Sequence, residues 1–125
     1  MNKPIDVRFK KGIELFNEGK FFESHEVIED IWRETEGEYK DFYRGLIQAA
    51  AALHHLKRGT LKGGILVYRS SIEHLKNYPP VTLGLNVRKL IEDIQACFKP
   101  LIEAQDKVDL KNLPIPHIEF RDGSR

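Results

Sequence analysis

The chain carries one cysteine, one methionine and one tryptophan among its 125 residues. A lone Cys97 excludes an intrachain disulfide, a zinc ribbon and a thioredoxin-like thiol pair, and it suits a reducing, cytoplasmic setting. No apolar run approaches the roughly 18 residues that a membrane-spanning helix needs. The opening Met-Asn-Lys-Pro-Ile-Asp lacks the apolar stretch of a secretory signal. Charge of one sign is missing too: 20 Lys and Arg face 19 Asp and Glu, which disfavours a surface built to neutralise nucleic-acid phosphates. Lys57, Arg58, Lys62 and Arg69 gather locally, but Glu73 and the overall neutrality dilute them. Also absent are strand-like alternation of useful length, a Gly-rich phosphate loop and a Gly-x-Ser-x-Gly elbow around Ser70 and Ser71.

What is present suffices for one domain with a core: 41% of the residues are hydrophobic and 10% aromatic. Their spacing is helical from Ile5 to about Ala104, which predicts an all-α fold of five main helices. Asp6 caps the first helix, whose face is Phe9, Gly12, Ile13 and Phe16, and Gly19 stops it. The second runs from Phe21 to Thr35 with Phe21, His25, Ile28 and Trp32 as its stripe. The third, Tyr39 to Lys57, is apolar or small almost all round and therefore central; Gly59 closes it. Thr60 is placed to cap the fourth, which continues through Leu66, Tyr68, Ile72 and Leu75 until Tyr78-Pro79-Pro80. The fifth spans Leu85 or Asn86 to Lys99 through Val87, Leu90, Ile91, Ile94 and Phe98; Pro100 kinks or ends it, and Leu101 to Ala104 add a last turn. Residues 1–104 thus read as the helical domain and residues 105–125 as an extended tail. Leu113, Ile115, Ile118 and Phe120 are too apolar for a purely solvated linker, so part of the tail is expected to lie against the helices, and Arg121 to Arg125 to be disordered.

Laying helices one and two over three and four aligns Gly19 with Gly59, Ser24 with Gly64 and Ile28 with Tyr68, a shift of 40 residues. Each unit has a small residue at its turn and another five places later, where two backbones would cross. This is similar to the tetratricopeptide repeat, with Gly12, Leu15, Ser24 and Ile28 at its signature places. Arg8 and Lys11 stand where that repeat expects Trp and Leu, so the resemblance implies hairpin geometry without the peptide-binding groove.

A second resemblance rests on Phe16-Asn-Glu-Gly-Lys-Phe-Phe-Glu-Ser-His-Glu-Val-Ile-Glu-Asp-Ile-Trp-Arg, Gly45-Leu-Ile-Gln-Ala-Ala and His55-Leu-Lys-Arg-Gly. In order and spacing these resemble the small helical family of bacteria and archaea catalogued as domain of unknown function number 309. Thr60 replaces the family's usual Asn, and Gly63-Gly64 its Gly-Ala. The resemblance implies a compact helical bundle and brings no reaction, substrate or cofactor.

His25, Glu26 and Glu29 form His-Glu-x-x-Glu, which puts His25 and Glu29 one helical turn apart. The zinc-protease signature needs a second His where Glu29 stands, so that reading fails. His25, Glu29 and His55 would still make a two-His, one-carboxylate set for a divalent metal. The template of di-iron bundles is absent, because Phe22 stands three residues before His25. The competing reading is a buried imidazole hydrogen-bonded to Glu26 or Glu29 as part of the core. Arg44, Gln48 and His55, with Arg58 one step further on, form the one polar line on the third helix, and Gln48, His55 and Arg58 face either solvent or a pocket shared with His25. Arg58 would hold an anion there or pair with Glu29, and Trp32 would pack in the core or form one wall. His54 points elsewhere on the third helix, and His74 and His117 have no partner in sequence spacing, so none of the three is assigned a role.

Two classes of function follow. The first is an interaction or scaffold module without catalysis, which the hairpin repeat and the lack of a complete catalytic motif favour. The second is a small-ligand- or metal-binding protein, or metal-assisted hydrolase, using a pocket of His25, Glu26, Glu29, Gln48, His55 and Arg58. Either would be a cytoplasmic monomer or homodimer whose partner is a protein or small ligand, with nucleic acid and membrane disfavoured.

Overall fold

The computed structural model describes residues 6–104 and 113–120; the expectations for residues 105–112 and for Arg121 to Arg125 lie outside the described residues. The elements are α1 (Val7–Asn17), α2 (Phe21–Glu34), α3 (Lys40–Arg58), α4 (Leu61–Leu75), β1 (Val81–Thr82), β2 (Leu85–Asn86) and α5 (Val87–Ala104). The expected helical architecture is therefore present, with its signals acting locally. The Asp6 carboxylate accepts from the Arg8 amide at 2.8 Å, and Gly19 and Gly59 take the left-handed conformation at φ 81° and 79°.

Three details differ from the sequence expectation, and Pro100 is decided between the two outcomes it allowed. Thr60 does not cap α4; its hydroxyl turns back and donates to the His55 carbonyl at 3.1 Å. Leu66 is 68% exposed, because α4 buries the line through Gly64, Ser71 and Leu75 instead. Of the two outcomes expected at Pro100, a kink or an end, the helix does not end there: Pro100 lies inside α5, which runs on through the expected last turn to Ala104. The carbonyl it leaves unpaired belongs to exposed Ala96, where water can take it, while buried Leu101 holds the next turn on the core. Finally, Val81–Thr82 and Leu85–Asn86 pair antiparallel around Leu83 and Gly84, both at positive φ, a primed two-residue turn. Leu83 lacks the Asn, Asp or Gly chemistry that advertises such turns, so the sequence concealed it.

The hairpins cross at small residues. In the first, Ser24 donates to the Gly12 carbonyl at 2.7 Å, and Ile28 Cγ1 lies 2.6 Å from where a Gly12 Cβ would stand. In the second, Ser71 donates to the Gly45 carbonyl at 2.8 Å, with Leu75 seated over Gly45. Gly12 and Ser24 lie 7 residues before and 5 after the Gly19 turn; Gly45 and Ser71 lie 14 before and 12 after Gly59. Each arm of the second hairpin is therefore one heptad, about two helical turns, longer at its crossing. The structural counterpart of Ile28 is Leu75, whereas the 40-residue alignment picks out a second close layer nearer the turn. There Gly64 leaves only 3.3 Å between its would-be Cβ and the Ala52 carbonyl.

Helix α5 packs on α4 through Tyr68 and Phe98, whose rings stack at 4.5 Å. Part of the described tail lies against the body, with Leu113 and Ile118 buried, whereas Ile115 is exposed. Asn17 holds it in the manner of a strand partner: its amide donates to the Ile118 carbonyl at 2.9 Å and its carbonyl oxygen accepts from the Ile118 amide at 2.7 Å. Asn86 N–H adds a bond to the Glu119 carbonyl at 2.8 Å, and Phe120 meets the Phe9 ring edge-on. Asn17→Ala leaves both Ile118 groups unpaired and is expected to cost about 1–3 kcal/mol. Hydrogen exchange at the Ile118 amide checks this: it should accelerate well ahead of the α3 core, and an unchanged rate would mean the clamp holds nothing.

Candidate functional site

The sequence-derived pocket is distributed over separate places. His55 faces α4: its Nδ1 lies 2.7 Å from the Thr60 hydroxyl, and its ring fills the space beside Gly63. With that hydroxyl donating to the His55 carbonyl, the ring Nδ1–H donates to the hydroxyl. Gln48 also turns to α4, where its Oε1 sits 2.9 Å from His74 Nδ1. The Ser70 carbonyl lies at the same distance, and because both neighbours are acceptors the proton belongs on His74 Nδ1. Glu29 pairs with Arg33 at 3.4 Å rather than with Arg58, and Glu26 is exposed. Arg58 is exposed, with no ion pair among the described residues. Nor does any group of three or more His, Cys, Asp and Glu converge as a metal set among the described residues, so His25, Glu29 and His55 do not form one. Cys97 offers no nucleophile, since burial pushes its thiol up to about 11.

What the fold does assemble is the surface where α2 and α3 lie antiparallel. Phe22, His25, Glu29 and Trp32 on α2 run at spacings of three, four and three residues. Lys40, Arg44, Ile47, Ala51, His54 and Arg58 continue the same heptad alternation on α3. At one end the Phe22 ring lies between two imidazoles, stacked on His25 at 5.9 Å and tilted against His54 at 5.4 Å. At the other, Lys40 Nζ stands 4.3 Å above the Trp32 ring and donates to the Trp32 and Thr35 carbonyls at 3.0 and 3.2 Å. That ammonium satisfies the carbonyl end of α2 and its dipole at once. Arg44 approaches the same ring at 6.0 Å. Phe22 is 47% exposed, and the buried His25 Nδ1 and Trp32 Nε1 have no hydrogen-bond partner.

His54, rather than His55, is thus the imidazole that accompanies His25. Partial burial lowers its basicity first, and the neighbouring Arg58, His55 and His25 lower it further against a weaker pull from Glu23. Sequence reasoning missed Phe22, His54 and Lys40, and it set Arg44 on a line with Gln48 and His55, from which the structure separates it. Their signal was the heptad spacing on α3, which its apolar character all round obscured. No helix among the described residues is long and apolar enough to cross a membrane.

A stretch of 83 residues, 63% of this chain, is 35% identical to an uncharacterized protein of Aquifex aeolicus (strain VF5), of which it covers 25%. A stretch of 84 residues, 65% of the chain, is 31% identical to the uncharacterized protein YpuF of Bacillus subtilis (strain 168), of which it covers 48%. The chain therefore spans about a quarter and about half of the lengths of these two relatives. Residues 9–67, which hold both sides of the α2–α3 surface, match the family described as a domain of unknown function, DUF309.

Proposed function

We propose that the protein is a non-catalytic interaction module of the cytoplasm that docks a protein partner on its α2–α3 surface. The observation carrying this reading is the composition of that surface. A half-exposed Phe22 is held between two imidazoles, and a Trp32 ring is overlaid by cations: aromatic and Arg anchors of the kind that dominate protein interfaces. The matched stretch also recurs as a fraction of two longer chains, as expected of a portable module. Arg44 and Arg58, exposed beside the aromatics, suit a partner that brings carboxylates to flank an apolar anchor.

The test is a photo-crosslinking amino acid placed at position 22 and, as control, at exposed Lys10 on α1. Position 22 should capture a discrete partner that position 10 does not, and Arg44→Glu should reduce the yield at least tenfold while helicity stays unchanged. Equal capture at both positions, or insensitivity to Arg44→Glu, would overturn the reading.

A further inference from the structure

Helix α4 and the end of α5, joined by the Tyr68–Phe98 stack, line a groove of about 540 Å³. Its walls are Leu61 and Ile65 of α4 with Leu101 and Ile102 of α5, and its polar lining side chains are Lys62 and Arg69. A smaller hollow of about 280 Å³, which includes Lys99 and Glu103, continues past Ile102. Lys62 and Arg69 lie seven residues apart on one face of α4, both exposed and without an ion pair among the described residues. Leu66 stands between them along α4, 68% exposed. The first turn of α4 has no acidic residue, and the Thr60 hydroxyl that would cap it is turned to His55, so the positive end of the helix is uncompensated beside Lys62.

We infer that this groove binds a single-headed anionic amphiphile, an aliphatic carboxylate of medium chain length, with its tail on Leu61, Ile65, Leu101 and Ile102 and its head at Lys62 and Arg69. The volume falls within the roughly 300–1,000 Å³ of small-molecule sites. A compact inorganic anion would use the two cations but leave the apolar walls wet. A neutral hydrocarbon would use the walls and leave the cations idle. A nucleotide would need polar groups along the floor to read its base, and the floor offers Leu and Ile. Only a ligand with a charge at one end and methylenes behind it matches both halves. The inference does not depend on the function proposed for the α2–α3 surface.

Calorimetric titration of the full chain with hexanoate, octanoate and decanoate, each below its self-association concentration, tests the inference. Saturable binding at one ligand per chain is expected, tightening by about two- to fourfold per added methylene as apolar area is buried. A Lys62→Gln, Arg69→Gln double variant, whose exposed positions leave folding intact by circular dichroism, should weaken decanoate at least fivefold and leave 1-decanol unaffected. Ile65→Glu should abolish both. Absence of saturable binding, or equal decanoate affinity in wild type and the double variant, would overturn it. So would a wild-type dimer that Leu66→Asp dissociates and that binds no decanoate, which would make the groove an interface between copies.

Discussion

Phe42→Ala should be among the most destabilising single truncations in this chain, at about 3–5 kcal/mol. Its ring is fully buried on α3 and joins three parts of the molecule. It lies 6.5 Å from Phe9 of α1, 6.0 Å from Tyr43 of its own helix and 5.3 Å edge-on to Tyr78 beyond α4. Removing it opens a cavity that cannot easily collapse. Phe9 is held from its other sides by Tyr43 and Phe120, and Tyr78 is tied by its hydroxyl to the Glu38 carbonyl at 2.6 Å. A loss of this size is a large part of a typical domain's 5–15 kcal/mol and lowers Tm by on the order of 10–20 °C. Urea denaturation of Phe42→Ala beside Phe22→Ala is the check, because Phe22 is half exposed and should cost far less. Equal costs would mean that the aromatic cluster is not the core.

The second large effect lies at the crossing of the longer hairpin. Gly45→Ala in an isolated helix would stabilise by about 1 kcal/mol, since Ala is the better helix former. Here a Cβ would stand 2.8 Å from Leu75 Cγ and Cδ2 and 3.2 Å from His74 Cβ, and the last of these is not the free end of a flexible side chain. The expected sign is therefore reversed: a net loss of about 1–2 kcal/mol for Gly45→Ala, and about 3 kcal/mol or more for Gly45→Val. Any outward shift of α4 that relieves the clash also stretches the Ser71 bond to the Gly45 carbonyl and the Gln48–His74 contact. Gly59→Ala is the contrasting control: nothing lies within 4 Å of its would-be Cβ, so its cost comes from φ 79° alone. A stabilised Gly45→Ala would show that the two helices do not approach as described.

The sequence by itself determined the helices and their ends. Periodicity, the Asp6 cap, the glycines at 19 and 59 and the Tyr78-Pro79-Pro80 break act within a few residues of where they stand, so they are legible without knowing the fold. It also carried the family resemblance, whose motifs are local strings. The tertiary structure alone decided the register of the second hairpin and the composition of the candidate surface. Both depend on how α3 is rotated about its axis, and a helix apolar or small nearly all round does not announce which side meets which neighbour. His54 and His55 differ by one residue and so by about 100° around that axis. Packing of Leu46, Ala49, Ala50 and Leu53 into the core sends His54 toward Phe22 and His55 toward Gly63, and so separates His55 from His25. Pro100 within α5 and the turn at Leu83 have the same origin, because burial of Leu101 and Leu85 against distant residues outweighs local backbone preference.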